Sequence, residues 1–254
     1  MTNSEKIALF EKEIAYMEIE NIKDFFKQAI TTVPDYFFEV PAASSGKFHS
    51  VLECGFGGLV YHTRSVAKVA NYLVNLQQYK SKLNEVERDC VICAALLHDC
   101  LKHDWENKTG FSVHQHPALA ADFVKTDSRL DEIVSDEIRT MIGDAVASHS
   151  GEWTTSKRSK VVLPSPQNLV QELVHLSDYI ASRSDIHILF EGEDNQPKLP
   201  DFNEFKLTFG KHSGRTIPEI AAIDRGWLIW AKENLTREPL LTLIKKYFDQ
   251  EDEI

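Results

Sequence analysis

The apolar run Ala94-Ala95-Leu96-Leu97 ends in His98-Asp99-Cys100-Leu101-Lys102. An adjacent imidazole and carboxylate can both bind one hard or borderline metal ion, because they leave a helix in neighbouring directions. Lys102 lies at i+4 from His98, on the same side of a helix, and would meet an anion drawn to that metal. A helix end whose polar residues spill into a loop explains the same stretch. The choice between the two depends on where the other His and Asp residues fall.

Those residues sit beside helix signals. Positions from about Ser4 to Ile30 read as one or two amphipathic helices, with Ile7, Phe10, Ile14, Met17, Ile22, Phe25 and Phe26 as the apolar face. Gly55, Gly57 and Gly58 lead into a helix starting near Leu59 that carries His62. Asn84 with Glu87 forms a capping-box pattern for the helix that ends at His98-Asp99. His114-Gln115-His116-Pro117 marks another start, since Pro suits a first helical turn. Asp127 or Ser128 caps a helix expected to run through Ile133, Ile138 and Ile142 to His149, with Gly151 as its terminator. Ser165-Pro166 opens a last long helix through Leu169, Leu173 and Leu176, carrying Asp178. No stretch before residue 190 alternates with a period of two, so the fold class is all-α.

His62, His98, Asp99, His116, His149 and Asp178 thus gather at helix ends or first turns. A helical bundle can bring such positions to one end of its core. Four imidazoles and two carboxylates suit Mn²⁺, Fe²⁺, Co²⁺, Ni²⁺ or Zn²⁺, with Mg²⁺ also admissible, and no thiolate set points to a structural zinc site. Six protein ligands exceed the needs of one catalytic ion, which allows one or two ions, with Asp99 as the bridge between two.

Composition sets the bounds. A chain of 254 residues holds one good core, or a large domain with a small appendage. Formal net charge is −11, from 28 Lys+Arg against 39 Asp+Glu, which excludes broad duplex binding but leaves room for a local basic groove. No apolar run approaches membrane-spanning length, and Met1-Thr2-Asn3-Ser4-Glu5-Lys6 lacks a secretion-signal layout. Cys54, Cys90, Cys93 and Cys100 do not read as a disulfide framework, so a reducing, cytoplasmic setting is expected. Cys90 and Cys93 are small core residues on this reading.

The order His62, His98-Asp99, Asp178 resembles the H…HD…D pattern of the HD-domain metal-dependent phosphohydrolase superfamily. Gly57-Gly58-Leu59-Val60-Tyr61-His62-Thr63 is similar to the GGLLEHT stretch of HD-domain 3′–5′ exoribonucleases, and His98-Asp99-Cys100-Leu101-Lys102 to HDxxK, without its usual Ile-Gly. Ser44 to His49, Val113 to Pro117, Ser148 to Trp153 and Leu176 to Arg183 resemble uncharacterised HD proteins common in phages and bacteria. The resemblance covers roughly Pro41 to Ile186. Phe209-Gly210-Lys211-His212-Ser213-Gly214-Arg215, followed by Trp227-Leu228-Ile229-Trp230, resembles an FGKxxG module attached to DnaQ-like exonucleases.

The resemblance implies an HD-domain helical bundle and a small, mainly helical C-terminal module. The expected division is an N-terminal helical segment (1–40), an HD domain (41–190), an acidic, proline-broken linker (191–203) and the module (204–254). It also implies that His62, His98, Asp99 and Asp178 are metal ligands, with two further His in binuclear members. Here those are His149 and either His114 or His116. His116 is preferred, because a residue preceding Pro is held extended and projects off the helix end.

A metal-activated water would then attack phosphorus, with Lys102 neutralising charge on the phosphoryl oxygens. Asp99, Lys102 and His114 are the expected catalytic residues, His114 as the candidate general acid. Lys47, His49, Lys157 and Arg158 are candidate substrate contacts, although plain loop residues explain the first two as simply and a solvated loop explains the last two more readily. His175, at i−3 from Asp178, could orient that carboxylate, or be an ordinary half-buried His. His103, His187 and His212 read as ordinary histidines. Lys211, His212 and Arg215 fit either phosphate contacts or a turn that docks the module.

The implied substrate is a nucleotide or single-stranded nucleic acid cleaved at a phosphodiester. The alternatives are hydrolysis of a free deoxynucleoside triphosphate or cyclic dinucleotide, and a non-catalytic metal- or nucleotide-binding module.

Overall fold

The structure, a computed structural model, describes residues 1–43, 48–106, 111–157, 159–207 and 209–252. Among these, eleven α-helices follow in order: α1 (Asn3–Ala8), α2 (Glu11–Ile14), α3 (Glu20–Thr32), α4 (Gly58–Asn75), α5 (Gln77–Lys80), α6 (Glu85–Leu97), α7 (His116–Thr126), α8 (Asp136–Ala147), α9 (Leu169–Ala181), α10 (Ile217–Asn234) and α11 (Leu240–Asp252). Three 3-10 turns (Asp35–Phe38, Val51–Glu53 and Ser128–Leu130) and the isolated bridges Ser156 with Ser159 and Lys206 with Thr216 add to them. The fold is all-α, as expected. No helix of the described residues is long and apolar enough to cross a membrane.

The central element is α6. Every residue from Asp89 to Leu97 is buried, and the helix packs against α3, α4, α8 and α9. Its composition explains the position: Cys90, Cys93, Ala94 and Ala95 are small enough for neighbouring helices to approach closely, while Ile92, Leu96 and Leu97 fill the spaces between. A fully buried leucine of this kind is worth about 2 kcal/mol of transfer free energy. The expected capping box starts the helix, with Asn84 Oδ1 accepting from Glu87 N at 2.9 Å and Glu87 Oε2 accepting from Asn84 N at 2.8 Å. Both cysteines of the C-x-x-C spacing are core residues, and all four cysteines are free and buried.

Helix starts are where expectation and structure part. Residues 4–30 form three helices rather than one or two. Asp127 caps only the 3-10 turn Ser128–Leu130; Glu132 then adopts φ +63°, which ends any helix, and Ser135 caps α8 instead. Asn168, not Ser165-Pro166, caps α9. His149 lies just past the end of α8, and Gly151, at φ +62°, shapes the turn that follows.

A second cluster of buried residues, including Leu207, Ile217, Ile220, Leu228, Leu240, Leu243 and Ile244, is formed by α10, α11 and the bridge at Lys206. Pro218 and a Thr216–Glu219 capping box start α10. The helix kinks at Asp224, whose carboxylate takes Lys211 Nζ at 2.6 Å and His212 Nε2 at 3.1 Å. The glycine-flanked turn is therefore docked through its own basic residues.

The acidic segment expected as a linker is strapped down. Glu193 accepts from Arg64 Nη1 and Nη2, both at 2.7 Å, and from Lys12 Nζ at 2.9 Å. Lys198 O accepts from Phe56 N at 3.0 Å. Arg64 also reaches Glu13 Oε2 at 3.0 Å, and Glu13 is fully buried. Replacing Arg64 by Met strands that carboxylate, so Arg64→Met should lower unfolding free energy in urea by about 3 kcal/mol, with little change if the pair is dispensable.

Candidate metal centre

Four imidazoles converge, and each is aimed through its Nδ1. His98, directly after α6, places Nδ1 2.7 Å from Ala95 O; His116, which opens α7, places its Nδ1 2.7 Å from Val113 O; His149 repeats the distance to Val146 O. All three reach back three residues. A carbonyl oxygen only accepts, so the ring nitrogen facing it carries the proton, and Nε2 of a neutral ring is left as a bare lone pair. His62, fully buried on α4, has Nδ1 3.2 Å from Glu53 Oε2.

The Nε2 atoms meet around two carboxylates. His62 Nε2 is 3.1 Å from Asp178 Oδ1, and His98 Nε2 is 3.8 Å from the same oxygen. Asp99 lies between the rings. Its Oδ2 is 3.3 Å from His98 Nε2 and 3.8 Å from His62 Nε2, while its Oδ1 is 3.0 Å from His116 Nε2 and 3.7 Å from His149 Nε2. Two groups result, His62–His98–Asp178 and Asp99–His116–His149, each compact enough to hold one ion.

The donor set fits a metal on three counts. His98 Nε2 and Asp99 Oδ1 are buried without a hydrogen bond, since the close approach of His116 to Asp99 is poorly aligned for one. His116 Nε2 and His149 Nε2 face each other at 3.2 Å with their protons on the far side of each ring, an arrangement a cation between them stabilises. The mix of imidazole and carboxylate suits a divalent transition ion.

Electrostatics follows from burial. Although burial disfavours a charged ring, Glu53 and Asp178 push His62 up to about 10. Burial, with His98 and His116 adding to it, holds His149 down at about 3. Asp99 stays far below the usual carboxylate range despite burial, because Lys102 and His98 favour its charge. Asp178 is lowered against burial by His62 and His98.

The cluster forms the floor of a cleft of about 400 Å³, whose walls include Phe48, His49, Lys102, Trp153, His175, Tyr179 and Arg183. Lys102 Nζ sits on Asp99 Oδ2. His116, not His114, joins the cluster, and it does so as the first residue of α7 rather than as an extended residue before Pro117. His114 does not line the cleft, and its Nε2 is buried without a partner. Lys157 is exposed in the turn closed by Ser156 and Ser159, away from the cleft walls. Lys47 and Arg158 lie outside the described residues. His175 does not orient Asp178; its Nδ1 donates to His149 O at 2.9 Å.

Glu53 was not foreseen from the sequence. It lies in the 3-10 turn Val51–Glu53, and its Oε2 takes both His62 Nδ1 and His49 Nδ1, the latter at 2.7 Å. The available signal was Gly58: a Cβ there would stand 2.0 Å from Glu53 O, so the helix can start against this turn only with glycine.

Residues 59–183, from α4 through α9, match the family model described as HD domain. The chain carries an HD domain. The HD domain holds His62, His98, Asp99, His116, His149 and Asp178 within its limits, and HD domains are the fold of metal-dependent phosphohydrolases. Residues 207–236 match the model described as exodeoxyribonuclease X-like C-terminal. No curated protein and no solved structure matches the chain significantly.

For the HD domain to take an ion on His62, the proton at Nε2 must leave. Uptake of Mn²⁺ or Ni²⁺ should therefore release a proton at pH 7 and strengthen as pH rises through about 10, where His62 loses that proton without the metal. Calorimetry in buffers of different ionisation enthalpy reads this; affinity independent of pH would contradict it. Glu53→Gln should weaken uptake by roughly 10- to 100-fold, as loss of a partner to a ligating His does.

Proposed function

We propose that the chain is a metal-dependent phosphodiesterase acting on an oligonucleotide or unpaired nucleic-acid strand, with His62, His98, Asp99, His116, His149 and Asp178 holding one or two divalent ions. The observation that carries this reading is the position of Asp99, whose two oxygens face different histidine groups as a bridging ligand's would. The exodeoxyribonuclease X-like segment supports a nucleic-acid substrate over other phosphate esters.

A divalent ion in this site supplies Lewis-acid activation of water and neutralisation of phosphoryl charge. The protein's own groups do the rest. Glu53 and the carbonyls of Ala95, Val113 and Val146 hold the Nδ1 protons and so fix each ring. Lys102 keeps Asp99 ionised and places a cation at the cleft floor, where phosphoryl oxygens gather charge. His49, held at Nδ1 by Glu53, lines the cleft wall as a candidate substrate contact, whereas His114 does not line it. The cysteines are not nucleophiles: burial pushes the thiols of Cys54 and Cys90 up to about 12.

Hydrolysis of a free nucleotide is the second reading, favoured by a cleft of about 400 Å³, within the range of sites for one small molecule. A panel of single-stranded RNA and DNA, deoxynucleoside triphosphates, cyclic dinucleotides and bis-aryl phosphodiester separates the two when supplied with Mn²⁺, Fe²⁺, Co²⁺, Ni²⁺, Zn²⁺ or Mg²⁺. Mononucleotides released from a strand, and lost in His98→Ala/Asp99→Ala, are the expected result. Turnover of free nucleotides without strand cleavage would overturn the nuclease reading, and silence with every metal would leave a binding module. Lys102→Met should lower kcat by about 10²-fold, as loss of one charge-stabilising donor does.

A further inference from the structure

At the mouth of the cleft Trp153 and Tyr179 stack, with ring planes 5° from parallel and centroids 5.8 Å apart. They are 52% and 39% exposed. The Arg183 guanidinium carbon lies 4.2 Å from the Tyr179 centroid, and its Nε is buried without a hydrogen bond. Phe48, half exposed, lines the same cleft. Flat aromatic surface left open beside a guanidinium that lines the same cleft suits a ligand that is itself flat on one part and anionic on another.

This surface is built into the metal centre. Trp153 follows His149 by four residues, across a turn in which Gly151 adopts φ +62°. A Cβ on Gly151 would stand 2.1 Å from His175 Cε1, so glycine lets the His175 ring close onto the turn. That ring donates to His149 O at 2.9 Å and lies 5.9 Å, centroid to centroid, from Trp153. One packed unit therefore sets the indole's position relative to the His149 imidazole.

We infer that Trp153, supported by Tyr179 and Arg183, is a nucleobase platform for the nucleotide whose phosphoryl group lies at the Asp99 cluster. This rests on the phosphodiester reading of the cleft. A base must be unpaired to lie on the indole, so the platform selects single strands or free nucleotides over duplex, and stacking makes it tolerant of base identity.

Binding to the intact, metal-free protein tests this without catalysis. Calorimetry would compare a DNA pentanucleotide, its abasic counterpart and a mononucleotide, each against wild type, Trp153→Ala and Trp153→Phe. Trp153→Ala should weaken the base-bearing pentanucleotide by roughly 5- to 150-fold, leave the abasic strand within about twofold, and be largely rescued by Trp153→Phe. Base-dependent binding of the pentanucleotide alone upholds the platform for strands, and of the mononucleotide too, for free nucleotides. Equal affinity of wild type for base-bearing and abasic strands, or equal loss of both in Trp153→Ala, overturns it. Bis-aryl phosphodiester, which carries no base, reports the phosphodiester reading separately: wild-type hydrolysis alongside a failed base test sinks the platform alone.

Discussion

Everything in the cleft depends on where three histidine protons are. His98, His116 and His149 each place Nδ1 2.7 Å from the carbonyl three residues back, so each ring presents an unprotonated Nε2 inward. The bond is local: each carbonyl lies in the turn just before its histidine, and those of Val113 and Val146 also accept from the backbone N of His116 and His149. The turns that flank these helices therefore orient the metal-competent lone pairs through contacts only three residues long. Glu53 does for His62 what the carbonyls do for the others.

Burial turns that orientation into electrostatic demand. The rings of His62 and His98 are fully enclosed and Asp99 nearly so. Little water can reach the facing nitrogens of His116 and His149 or the open oxygen of Asp99 to screen them. A cation satisfies all of them at once. Lys102 supplies part of that positive charge by sitting on Asp99, which keeps the carboxylate ionised in a site where burial alone would favour its neutral form. The central position of α6 matters here, because a helix buried on every side delivers His98 and Asp99 to the interior and not to a surface loop.

What could be read in the sequence was whatever depended on local signals. The all-α class followed from the missing period of two, the start of α6 from Asn84 and Glu87, and the core role of Cys90 and Cys93 from their helical context. The gathering of His62, His98, Asp99, His149 and Asp178 followed from their positions at or near helix ends. His116 rather than His114 faces Asp99 and His149, but through the Val113 turn and not through an extended residue before Pro117. Glu53 was invisible because a glutamate nine residues before His62 has no periodic relation to it; only the 3-10 turn and the absent Cβ of Gly58 bring them together. The start of α8 was misplaced because Asp127 is a good cap, and nothing local announces the left-handed backbone at Glu132. The strapping of Glu193 to Arg64 and Lys12 joins residues far apart in the chain, which composition alone reads as a loose connection.

The claim on which the rest stands is the tautomer, and it can be observed directly. Nitrogen NMR of the histidine rings in the metal-free protein, assigned by single His→Gln variants, reports which nitrogen carries each proton. The account predicts Nδ1–H for His98, His116 and His149, with the unprotonated Nε2 resonances being the ones that shift when a diamagnetic ion such as Zn²⁺ is added. Nε2–H rings at these positions, or a metal that perturbs Nδ1 in place of Nε2, would contradict it.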